Sequence, residues 1–341
     1  MSFEKFPSSD LPKEKQELSK DSKVESRFDR YMRKAKYLAK IGLCAGALAI
    51  GGLAVKQSVE SRRDYRNYYE EKTPETDKER YKELRQKLVS QLGEKTVDEM
   101  ESGDRSAFWE RRDVKETEMQ PPKIKGFDQV GINQKTLEKL WSDQGGLYPK
   151  KWINGEIDEV VYIGETGEVK EKEGIQTTAA VISLLKKIMM YKDPYDYEGR
   201  SPTLRIGKFD ADFGHEIGHM NDWESDRSLS LLERAELLSK IADRMRSEHP
   251  FKNIIDSKPY YQSFHSENKE DENYHQSKEY WGDLCEGYFS VPEWVKNNYP
   301  EDYAIVDGYV KKTDPAFDAI HAEEQRDSII QSEADVVGSE K

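Results

Sequence analysis

Cysteine is nearly absent from this chain of 341 residues, which holds only Cys44 and Cys285. Two cysteines so far apart offer neither a disulfide framework nor a cysteine-rich zinc module, and they leave the redox compartment unread. A surplus of positive charge is also missing. Lys and Arg number 54 against 67 Asp and Glu, a net charge of −13. Binding to a phosphate backbone needs a basic surface that displaces counterions, so nucleic acid is not an expected partner. Apolar residues are scarce as well: hydrophobic and charged residues each make up 35%. With that balance part of the chain stays solvated, and the core is expected in the C-terminal half.

One segment departs from this polar background. Residues 1–36 read as a flexible polar arm, and then residues 41–55 (IGLCAGALAIGGLAV) carry no charge. With Tyr37, Leu38 and Ala39 before Lys40, and with Lys40 and Lys56 able to snorkel, 37–56 is expected to form a single transmembrane anchor. A cleaved signal peptide fits less well, because about forty residues precede the run. Leu43 stands where a lipoprotein anchor at Cys44 would want a small residue, and a buried soluble helix is the remaining alternative. Small residues at Gly42 and Gly46, Ala45 and Ala49, and Ala47 and Gly51 would allow weak self-association in lipid. Lys and Arg number six in 24–40 and five in 56–72, which leans toward an internal N-terminus and an extracytoplasmic domain.

Residues 57–125 are charged and predict a helical stalk or a pro-segment, with Thr76-Asp77-Lys78-Glu79 spaced as a capping box and a helix ending near Gly93. A packed α+β domain is expected over 126–321, mostly helical with a small sheet. The pattern predicts helices at 134–143, 177–190, 228–248, 277–290 and 301–312 and strands at 158–164 and 203–207. Residues 322–341 read as an acidic tail or loose helix.

The chemistry-bearing motif is His215-Glu216-Ile217-Gly218-His219. On a helix the two histidines lie one turn apart and point the same way, so two imidazoles reach one metal ion with Glu216 beside them. Phe209, Phe213, Ile217 and Met220 fall on the opposite face, and Asp210 and Asp212 suit a helix start.

Two histidines alone make a poor zinc site, since catalytic zinc takes three protein ligands and a water. The positions three and six residues after the second histidine are Asp222 and Ser225, which excludes the metzincin-type extension. A later helix offers Glu279 as the third ligand, with Asp283 four residues on and on the same face. Asp283 would fix the tautomer of a ligating histidine, His215 first.

In these two motifs the chain resembles the thermolysin-like superfamily of glutamate zincins. Glu279 to Phe289 (EYWGDLCEGYF) looks most like the anthrax lethal factor-like and Pro-Pro endopeptidase group, and the resemblance covers about 127–312. Gly282 stands where that group prefers Ala, and Asp283 where it has Glu. The group's Tyr seven residues before the glutamate ligand is Glu272 here, with Tyr274 the nearest substitute.

The resemblance implies a zincin-like metallopeptidase domain that hydrolyses peptide bonds of a peptide or protein substrate with Zn2+ as cofactor. Glu216 would take the proton of the attacking water and return it to the leaving amine. Tyr274, then His275 and His265, are candidates to meet the developing oxyanion. Asp222 is a further candidate to support a ligand from behind. An edge strand, 158–164 or 203–207, would hold an extended substrate. A catalytically inactive, membrane-tethered binding protein on the same fold is the alternative.

Overall fold

The computed structural model describes residues 73–113, 122–130, 132–141, 147–153, 157–164, 167–168, 176–177, 179–182, 187–191, 202–223, 229–256 and 269–339. Described residues begin with helices α1 (Glu75–Leu92) and α2 (Glu94–Asp113). Thr76 does not cap α1. That helix starts one residue earlier behind Pro74, which makes no side-chain cap, and Glu75 and Asp77 face its positive end instead. Gly93 closes α1 at φ 94°, a left-handed turn that suits glycine.

Strand β1 (Lys123–Lys125), a 3-10 turn (Phe127–Val130) and α3 (Gln134–Leu140) follow. The side chain of Asn133 caps α3 by accepting from Lys135 N at 3.1 Å. Next come α4 (Lys150–Ile153), β2 (Glu159–Tyr162), β3 (Gly167–Glu168), β4 (Gln176–Thr177), β5 (Ala179–Ile182) and β6 (Lys187–Met190). The remaining described elements are helices: α5 (Pro202–Met220), α6 (Leu231–Arg246), α7 (Pro250–Asp256), α8 (Lys269–Ser290), α9 (Pro292–Asn298), α10 (Pro300–Thr313) and α11 (Ala319–Ser339).

The four-stranded sheet runs β1-β2-β6-β5, and β3 pairs with β4 separately. β2 is parallel to both β1 and β6, with Val160 opposite Ile124 and Ile188, while β5 returns antiparallel to β6 with Val181 opposite Ile188. The helix predicted over 177–190 is therefore two strands. In β6 Ile188 and Met190 are buried and Lys187 and Met189 less so, a period of two that a short, continuously apolar run conceals. The strand predicted over 203–207 is the first turn and a half of α5. Pro202 sits where its missing N–H breaks no helical bond. The helix predicted over 277–290 begins earlier, at Lys269.

The expectation of a fold preceded by a transmembrane helix, and with it the single-pass membrane localisation, is corrected. No helix among the described residues is long and apolar enough to cross a membrane, and 37–56 lies outside those residues. The uncharged run between Lys40 and Lys56 would rise only about 22 Å as a helix, short of a hydrocarbon core of about 30 Å.

Residues 75–113 lie along the domain helices. Leu88, Leu92, Val97 and Met100 are buried. Lys87 Nζ bonds Ser239 Oγ at 2.9 Å and Asp243 Oδ2 at 2.6 Å, Gln91 Nε2 donates to Asp243 Oδ1 at 2.9 Å, and Asn273 Nδ2 donates to Leu92 O at 3.3 Å. A capping box opens α6, in which Ser230 Oγ accepts from Glu233 N and the Glu233 carboxylate accepts from Ser230 N.

The core on the far side of α5 is aromatic. Trp141 stacks on Phe213 with ring centroids 4.7 Å apart, and Tyr148 meets Phe213 edge-on at 5.1 Å. Trp152 links Phe289 and Tyr309 at 5.6 and 5.4 Å. Phe213, Ile217 and Met220 are buried there as the helical period predicts. Asp210 is not at the helix start but in its middle. It accepts from Trp141 Nε1 at 3.0 Å and Tyr148 Oη at 2.9 Å, and it pairs with Arg326 at 2.8 Å. Arg326 belongs to α11, so the boundary expected at 321 falls inside a helix whose Ala322, Arg326 and Ile330 are buried.

Candidate metal centre

Helices α5 and α8 cross at small residues. A Cβ on Gly218 would meet Cys285 Cβ at 2.9 Å and Gly282 Cα at 3.4 Å, so the two backbones approach more closely than side chains allow. Trp281 Nε1 donates to Gly218 O at 2.9 Å and ties the crossing. At the end of α5, Asn221 Nδ2 donates to Ile217 O at 2.9 Å, a carbonyl of the helix's last turn, and to Trp152 O of α4 at 3.2 Å.

Across this crossing the ligand candidates converge. His215 Nε2 and His219 Nε2 are 3.0 Å apart; Glu279 Oε2 is 3.3 Å from the first and Glu279 Oε1 is 3.7 Å from the second. Four-coordinate zinc with bonds of about 2.0–2.1 Å sets its ligand atoms roughly 3.3 Å apart. Two imidazoles and one carboxylate at these spacings fit such an ion, and all three side chains are part-exposed.

The other nitrogen of His215 turns to α8, where Asp283 Oδ1 lies 3.2 Å from Nδ1 and Glu286 Oε2 lies 3.7 Å from it. Asp283 thus occupies the position expected of it. Glu286 was not anticipated, although it stands seven residues after Glu279 and so on the same helix face. Gly282 has a geometric cause too: a Cβ there would fall 2.7 Å from both His215 Cε1 and Nε2. The imidazole fills the space that an alanine methyl would take.

Charge follows burial and neighbours. Burial pushes the Glu216 carboxyl up, Glu279 and Asp212 add to the shift, and His219 and His215 oppose it. Burial alone would raise Glu279, but the two histidines hold it well below the usual carboxylate range. Burial would lower His215, yet hydrogen bonding to Asp283, Glu279 and Glu286 lifts it well above its ordinary value. These shifts belong to the protein without a cation, whose own charge would dominate the site.

Asp222 is buried and pairs with Lys278 Nζ at 2.9 Å. Tyr274 is not brought to the ligand face. It lies about 140° around the helix axis from Glu279, and its ring faces Lys278 Nζ at 5.3 Å, Lys95 Nζ at 6.0 Å and the exposed His275 ring at 5.3 Å. His265 lies outside the described residues. Of the strands named for substrate, β2 is interior and 203–207 is helical; the last strand of the sheet is β5, packed on α5. Tyr191, just after β6, was also not anticipated: burial and the Glu216 carboxylate raise its phenol.

Comparison with family models, curated proteins and solved structures finds no match for this chain. The class of the centre therefore rests on its residues.

Proposed function

We propose that the chain is a zinc-dependent endopeptidase of the glutamate-zincin kind, with His215, His219 and Glu279 as ligands and Glu216 as general base. The supporting observation is that three side chains on two crossed helices bring their donor atoms within 3.0 to 3.7 Å of one another, each Glu279 oxygen facing one imidazole. Bound zinc would supply a Lewis acid for the scissile carbonyl and lower the pKa of water toward neutrality.

The chain's own residues do the rest. Glu216, buried on the same turn as His215, takes a proton from the attacking water and delivers it to the leaving amine. Asp283 accepts from His215 Nδ1–H and so keeps Nε2 free to bind. Among the described residues β5 is the terminal strand packed on α5, and an extended peptide would pair along it.

Metal analysis of the purified protein, followed by cleavage of a peptide library by wild type and Glu216→Gln, tests this reading. Near-stoichiometric zinc is expected in both, with turnover lost only in the variant. Absence of zinc overturns the centre. Zinc without turnover in either protein favours a catalytically inactive binding protein on the same fold.

A further inference from the structure

The metal-centre reading leaves one carboxylate without a role. Glu279, Asp283 and Glu286 stand at intervals of four and three residues on α8, so their side chains form a file down one face. His215 lies flat against that file because Gly282 offers no Cβ to hold it off. Its Nδ1 is 3.2 Å from Asp283 Oδ1 and 3.7 Å from Glu286 Oε2. The two acids differ in setting: the Asp283 side chain is 2% exposed and that of Glu286 33%. One is fixed in the helix crossing, and the other reaches in from the solvent margin.

We propose that Glu286 is a second positioning carboxylate for His215, sharing the Nδ1–H with Asp283. The proposal rests on the metal-centre reading. Asp283 holds the hydrogen bond at rest, and Glu286 accepts from the same N–H when the ring rotates outward. The imidazole thus keeps its tautomer, with Nε2 toward the ligand set, over a range of ring orientations rather than at one. Such support from behind a metal ligand typically changes metal affinity by about 10–100-fold.

Zinc affinity, measured by competition with a chromophoric chelator, and the 15N-resolved resonance of His215 Nδ1–H provide the test. Glu286→Gln is expected to weaken zinc binding about tenfold and to shift the Nδ1–H resonance. Glu286→Asp keeps the charge but shortens an arm that already stops at 3.7 Å, and it is expected to behave like the glutamine variant. Combining Glu286→Gln with Asp283→Asn is expected to cost more than the product of the two single losses, because each acid covers for the other.

Wild-type affinity and an unshifted resonance in Glu286→Gln overturn the proposal. So does full affinity in Glu286→Asp alongside loss in Glu286→Gln, which would mean that charge matters and reach does not. A wild-type protein that binds no zinc overturns both this proposal and the metal centre; failure of Glu286 alone leaves the centre standing.

Discussion

Asp210 on the motif helix and Arg326 on the last helix form an ion pair across 2.8 Å, with side chains only 3% and 4% exposed. Arg326 also reaches the Leu147 carbonyl at 3.3 Å and that of Phe289, and Asp210 holds Trp141 and Tyr148. The pair fastens α11 to the back of the helix that carries both histidines.

Removing one member of such a pair strands a buried charge, which costs about 3–5 kcal/mol. Arg326→Met and deletion of 322–341 are each expected to lower the unfolding free energy read from chemical denaturation by about that amount, and the midpoint with it. An unchanged midpoint in the deletion would show that α11 does not hold α5.

Two glycines in helices should answer alanine in opposite ways. A Cβ at Gly308 meets nothing within 4 Å, so Gly308→Ala is expected to stabilise by up to about 1 kcal/mol. Gly282→Ala pushes a methyl into the His215 ring and is expected to weaken zinc affinity at least about tenfold. Calorimetry and chelator competition on the two variants read both effects.

Acid and base should act oppositely on the metal-free fold and on metal loading. His215 has its folded pKa raised above 6.5, so its carboxylate contacts stabilise the chelated protein fully below that value and fade as pH rises through the raised one. Zinc needs the neutral ring, so its affinity climbs over the same interval and binding releases protons. Thermal scans of chelated protein and titrations in buffers of different ionisation enthalpy measure the two trends. A His215→Gln variant is expected to flatten the first.

Deleting residues up to 113 should destabilise the protein rather than unmask activity. Leu88, Leu92, Val97 and Met100 are buried, and the helices that carry them bond Ser239, Asp243 and Asn273. Aggregation or a lowered unfolding temperature of the fragment is the expected result; a stable, more active fragment would show a removable cover.

Where sequence sufficed, the signal was local and periodic. His215, Glu216 and His219 share one turn, and Glu279 and Asp283 another, so each pair follows from the helical repeat alone. Glu286 obeys the same repeat two turns on. The failures have a common source in segments whose local pattern fits two structures. The run from Thr177 to Met190 is apolar enough for a buried helix or buried strands, and only pairing of Val160 with Ile188 and of Val181 with Ile188 decides. The helix predicted from 277 starts at Lys269 instead, because its first two turns are polar and carry no apolar period to mark them. Asp210 and Arg326 are 116 positions apart, and nothing near either announces the other.

The approach of Gly218 to Gly282 also bears on how the molecule comes apart. Where two backbones approach this closely, with Cys285 and the His215 ring packed hard against the glycines, the helices cannot separate by degrees. Amide hydrogens around Ile217 and around Trp281 should therefore exchange with deuterium in one concerted opening, at the slowest rate in the chain. A metal ion bound there would report global unfolding rather than local fraying.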